Sequence, residues 1–154
     1  MFGLFASFWQ SVLKTTLKRP EQLQMAALCH RGEGAQKEFL LITSRGSGRW
    51  IIPKGWPIRG LTGAETALRE AWEEAGVKHS VVNTNPIGNY TYQKKRENSF
   101  EVSVKTLVYS ITVKDLANEF PEAKERKRKW VSAEIAAKLI GEAGLKSIFL
   151  EQKT

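Results

Sequence analysis

Three glutamates carry the clearest chemical signal in this sequence. Glu70, Glu73 and Glu74 are spaced i, i+3, i+4, so on a helix they emerge from one side within a turn of each other. Thr62 and Glu65 form a T-x-x-E capping box that starts such a helix at a defined place. Ala64, Ala67, Leu68, Ala71 and Ala75 give it an apolar face able to lie against a sheet. The three carboxylates repel one another and sit near the negative C-terminal end of the helix dipole, an arrangement that stability alone does not favour. A bound divalent cation removes the conflict, because hard cations take several carboxylate oxygens. The competing reading is a solvated acidic face, with Arg69 as a local counter-charge. A glycine-rich turn before the helix and Gly76 after it favour the metal site.

The surrounding chain must hold that helix. At 154 residues it has the size of one compact domain with a single core. Residues 24–31 and 38–43 read as two apolar strands joined by a glycine-containing turn at 32–36, and 50–52 as a further short strand. Strand patterns return at about 87–92 and 102–113, the latter rich in β-branched residues. Residues 119–127 read as a polar loop, followed by a short strand around Trp130 and Val131. Ser132 caps a last helix through about Ile140, and 141–144 break it before an apolar end at 148–150. The fold class is α/β in the α+β sense, with a mixed sheet between helices.

Residues 1–20 form a separate segment ahead of the 21–154 domain. Phe5, Phe8, Trp9, Val12 and Leu13 follow the spacing of one helix face. The expected extra N-terminal amphipathic helix is too interrupted to span a bilayer, which takes about 20 mostly apolar residues. It docks on its own domain or a second copy, or lies at a membrane surface.

Charge and cysteine usage bound the partners. The net charge of +8, from 24 basic and 16 acidic residues, suits a polyanionic partner or simply a soluble surface. The lone Cys29 lies among apolar residues and reads as a buried structural thiol in a reducing, cytoplasmic compartment. With His30 and His79 the only histidines, a structural zinc site lacks ligands.

The segment 53–77 also resembles a known family. Gly55, Arg69-Glu70, Glu73-Glu74 and Gly76-Val77 match the Nudix box, G-x5-E-x7-R-E-U-x-E-E-x-G-U with U apolar, without gaps. One departure stands at Leu61, where the pattern has a glutamate that orients the arginine. The resemblance extends over about residues 22–142, and the flanks look most like the branch that hydrolyses diphosphoinositol polyphosphates. Those flanks are A-A-L-C-H-R, the Ser44 to Trp50 stretch, E-E-A-G-V-K and the basic patch Lys94, Lys95, Arg96. That branch has a second glycine-rich turn where this chain has Lys54-Gly55-Trp56-Pro57.

The resemblance implies a hydrolase that cleaves a phosphoanhydride with magnesium or manganese. It makes Arg69, Glu70, Glu73 and Glu74 the catalytic set. Glu70 and Glu74 are the principal ligands, Glu73 is a ligand or the base that orients water, and the Lys54 carbonyl next to Gly55 completes the coordination. Glu97 or Glu101 is a further contributor or a surface ion-pair partner. Arg45, Arg49, Lys54, Lys94, Lys95 and Arg96 are the candidate phosphate contacts. Trp56 stacks on a base or packs beside Pro57. The implied partner is a polyanionic phosphorylated small molecule: a diphosphoinositol polyphosphate, a dinucleoside polyphosphate or polyphosphate. The alternatives are housekeeping hydrolysis of nucleoside triphosphates and a non-catalytic module that binds RNA or a membrane.

Overall fold

The computed structural model describes residues 22–95 and 100–154. The expected N-terminal helix within residues 1–20, and with it the docking or membrane role, lies outside the described residues, as do Arg96 and Glu97. Strand β1 (Gln22–Arg31) is the spine of the sheet. It runs parallel to β7 (Glu101–Leu116) from Gln22 opposite Val104 to His30 opposite Thr112. On its other side it pairs antiparallel with β2 (Glu38–Thr43) and with the two-residue β4 (Lys54–Gly55). Strand β3 (Trp50–Ile51) and β8 (Arg128–Val131) add to β2, while β5 (Val77–Val82) and β6 (Gly88–Lys95) add to β7. The sheet is therefore mixed, as expected.

Because side chains alternate along a strand, the central strands supply two cores. Met25, Ala27 and Cys29 of β1 face helix α1 (Gly63–Ala75), together with Leu40, Ile42, Tyr109 and Ile111. Ala26 and Leu28 face the opposite way, toward α2 (Ala133–Leu139) and α3 (Ala143–Glu151). There Phe39 meets Phe149 edge to face, with ring centroids 5.2 Å apart, a geometry that adds about 0.5–1.5 kcal/mol to simple burial. Ala64, Ala67, Ala71 and Ala75 line the buried side of α1. Their small side chains bring the helix close to β1, and with it the glutamates that flank them.

Two strands escape the sequence reading. The stretch after Gly76 is β5, whose Lys78 and His79 are exposed, so an edge strand hides the alternation that marks a half-buried one. The β4 pair is too short to leave a periodic trace. The apolar end at 148–150 is part of α3. Among the described residues no helix is long and apolar enough to cross a membrane.

Cys29 has no exposed surface, and burial pushes its thiol up to about 12. A thiol reagent is expected to leave Cys29 unmodified in native protein and to label it fully in denaturant. Native labelling at the rate of a free thiol would contradict this packing.

Candidate active site

Helix α1 is held at both ends. At its start the Glu65 N–H donates to Thr62 Oγ1 at 3.2 Å and the Thr62 N–H donates to Glu65 Oε1 at 3.1 Å, completing the capping box. At its end Gly76 adopts a left-handed φ of 69°, with its N–H returning to the carbonyls of Ala71 and Trp72. Any side chain at 76 would also meet the Phe120 ring. Arg128 Nη1 donates to the Ala75 carbonyl at 3.0 Å and to the Ala117 carbonyl at 2.9 Å. This guanidinium sits where the helix dipole is negative and favours a cation.

Glu70 and Glu74 flank the alanine face of α1 and, with Glu73, line a cleft of about 1270 Å³. Glu70 rests against β4. Gly55 pairs with Met25 of β1, and a β-carbon there would occupy the space of the Glu70 carboxyl. The glycine is thus required for the carboxylate to approach the strand. Glu74 is 8 % exposed. Its Oε2 accepts from the Lys54 N–H at 3.0 Å, and its Oε1 accepts from Arg126 Nη2 at 3.1 Å. Glu73 lines the same cleft, and its backbone carbonyl accepts from the Glu122 N–H at 3.0 Å.

Burial dominates the electrostatics of this group. The Glu70 carboxyl is held above the usual range by desolvation first, then by Glu73 and Glu122. Glu74 is pushed up to about 7, because loss of water outweighs the opposing pull of Arg126 and of the Lys54 N–H. Carboxylates so placed favour a second positive charge. Glu70, Glu73, Glu74 and Glu122 offer the oxygen donors that magnesium or manganese takes, beside a strand that comes close only because residue 55 is glycine. The donor chemistry fits a hard cation. Even so, among the described residues no three acidic, histidine or cysteine side chains already stand in a cluster able to enclose one.

The basic candidates divide. Arg45, Arg49, Lys54, Lys94 and Lys95 all line the cleft with the glutamates, and Glu101 does too. Arg45 is paired with Glu122 at 3.3 Å and Glu125 at 3.5 Å, and Arg49 with Glu142 at 3.3 Å. Lys54 places its ammonium 5.4 Å from the Tyr92 ring centre, and burial lowers its pKa. Trp56 stays at the cleft, 41 % exposed, with Lys94 Nζ 5.1 Å from its ring centre. Arg69 goes elsewhere: it is exposed and lines a second groove with Leu61, Leu68 and Trp72, outside the cleft.

Two charged residues of the cleft escape the sequence reading. Arg126 and Glu122 lie in the 119–127 stretch that reads as a polar loop. In the run K-E-R-K-R-K no periodicity marks which arginine turns inward. Only the neighbouring Phe120-Pro121, apolar in a charged stretch, hints that this segment packs down.

The raised carboxyls imply a pH dependence in metal-free protein. Folding penalises the charged form of Glu74, so its contribution favours the folded state most below its unfolded value of 4.5 and declines as pH rises toward about 7. Glu70 acts with the same sign. With a chelator present, this term is expected to lower Tm between about pH 5 and about pH 8, and Glu74→Gln to flatten the decline. Identical slopes for the two proteins would contradict the assignment.

Known proteins share both the sequence and the fold. A family model described as NUDIX domain matches residues 22–151. Diphosphoinositol polyphosphate phosphohydrolase 3-beta of Bos taurus is 32% identical over 117 residues, covering 75% of this chain and 66% of that protein. Nudix hydrolase 16, mitochondrial, of Arabidopsis thaliana is 32% identical over 117 residues, covering 74% of this chain and 64% of that protein. The matched part thus spans just under two thirds of these relatives' length. The crystal structure of C. elegans Ap4A hydrolase has the same fold, with a TM-score of 0.60 at 22% identity over 85% of this chain and 94% of that one. With its box on α1 and its sheet around β1, this chain belongs to the Nudix family.

Proposed function

We propose that this protein is a metal-dependent hydrolase that cleaves a phosphoanhydride bond in a polyphosphorylated small molecule. The observation that carries the reading is the convergence, in one cleft, of the α1 glutamates with a rim of lysines and arginines. A non-catalytic anion-binding module needs the rim but has no use for desolvated carboxylates beneath it. The similarity to a diphosphoinositol polyphosphate phosphohydrolase favours that substrate class, with dinucleoside polyphosphates and polyphosphate beside it. The exposed Trp56 ring at the cleft is the feature that a base-bearing substrate would use.

In hydrolysis the oxygen of water joins phosphorus, the bridging P–O bond breaks, and the water proton is taken up by a base. Glu70 and Glu74 would be the principal ligands for magnesium or manganese, with Glu73 a further ligand or the base and the Lys54 carbonyl beside Gly55 a further donor. When bound there, the ion would neutralise charge at the phosphoryl oxygens and lower the pKa of the attacking water. Lys54, Lys94 and Lys95 hold the flanking phosphates, and Arg45 and Arg49 do so once a phosphate competes for their carboxylate partners. Arg96 joins this set as a proposal from sequence alone. Arg69, exposed and outside the cleft, acts on the reaction only through the helix that carries Glu70.

Incubating the protein with a diphosphoinositol polyphosphate, diadenosine polyphosphates and nucleoside triphosphates, with magnesium or manganese, tests the reading directly. Metal-dependent release of orthophosphate or a polyphosphate fragment is expected, with kcat falling about a hundredfold or more in Glu74→Gln. Pyrophosphate plus a nucleoside monophosphate as the preferred products would point to nucleotide housekeeping instead. Turnover equal with and without the Glu74 carboxylate would remove the metal-site reading. Reversing the charge of Lys94 and Lys95 together is expected to raise KM by about tenfold with little change in kcat. An unchanged KM for a highly phosphorylated substrate would take this patch out of the site.

A further inference from the structure

Arg126 sits at the centre of the carboxylate group. Its Nη2 is shared between Glu74 Oε1 and Glu122 Oε1, each at 3.1 Å, while its Nη1 donates to the Thr43 carbonyl at 2.9 Å. The side chain is 5% exposed. One of its nitrogens, Nε, is buried with no hydrogen-bond partner among the described residues. An unpaired buried donor costs about 1–3 kcal/mol. The guanidinium is aimed at the carboxylates and left incomplete elsewhere.

Both oxygens of Glu74 are taken, one by the Lys54 N–H and the other by Arg126. Of the two bonds, the first belongs to the β4 backbone, whereas the second is made by a side chain with other acceptors still in hand. Moving Nη2 off Glu74 alone leaves Arg126 bonded to Glu122 and to Thr43, so it is the smallest change that frees a ligand oxygen. A dication beside Glu74 and the guanidinium repel each other in a poorly solvated space, which drives that change.

We propose that Arg126 is a stand-in for the divalent cation: it holds Glu74 and Glu122 while metal is absent and cedes the Glu74 oxygen when metal binds. It is a positioning residue that acts through the carboxylates. The Glu122 N–H bond to the Glu73 carbonyl ties the same segment to α1, and Glu122 also pairs with Arg45 at the cleft rim. Metal loading therefore reaches a residue on the phosphate-binding side through one shared carboxylate.

This rests on the reading of Glu70, Glu73 and Glu74 as a metal site, and calorimetric titration of Mn²⁺ together with metal-free Tm separates the two. Wild-type protein is expected to bind Mn²⁺, and its failure to do so would overturn both readings. In Arg126→Met, metal-free Tm is expected to fall, Kd for Mn²⁺ to tighten by about tenfold, and the rise in Tm on adding Mn²⁺ to exceed that of wild type. A lower Tm with Kd unchanged or weakened would overturn the stand-in role while leaving the metal site intact. Should Arg126→Met fail to fold, Arg126→Lys carries the test, because an ammonium lacks the fork that spans two acceptors. Mn²⁺ binding tighter than wild type supports the proposal there too, and equal or weaker binding overturns it.

Discussion

Glu74 is nearly buried with both carboxylate oxygens engaged, one by the backbone of β4 and the other by Arg126 from the segment before β8. Three stretches far apart in sequence therefore meet on one side chain. The bond to Lys54 N–H fixes how β4 lies along α1, and β4 in turn pairs with β1, the spine of the sheet. Gly55 follows from the same constraint, since only a residue without a β-carbon lets Glu70 lie against that strand. The geometry of the cleft is the consequence of desolvating a carboxylate and then supplying it with donors.

The acidic helix end raises an electrostatic problem that the fold answers with arginines. Arg128 caps the Ala75 carbonyl at the end of α1, and Arg126 pairs with the Glu74 carboxylate one residue earlier. Both come from one short stretch, and the phenyl ring of Phe120 lies under the Arg128 guanidinium at 4.8 Å. The same stretch is tied to Glu73 and to Thr43 by backbone bonds. Such a dense local network makes residues 120–128 part of the site rather than a connection between strands.

How much of this was readable in the sequence depended on whether the signal was periodic or positional. The capping box, the alanine face and the three glutamates of α1 announced themselves by spacing, and the structure places them as expected. The apolar runs of β1 and β2 did so by composition, because strands buried on both faces are almost uniformly hydrophobic, and β7 did so by its β-branched residues. The edge strand β5 did not, since Lys78 and His79 are exposed there. Arg126 and Glu122 were beyond local reading: burying one arginine of a charged run is decided by Glu74 and Thr43, 52 and 83 residues away. Arg69 shows the converse. Its place in the box ties it to the site by pattern, while Leu61 offers it no carboxylate and the structure turns it to another groove.

The most direct measurement is an anomalous difference map from crystals soaked in manganese. A manganese peak is expected between the carboxylates of Glu70 and Glu74 and the β4 backbone at Lys54 and Gly55. A peak confined to other carboxylates, or none at this position in well-ordered crystals at saturating manganese, would contradict it.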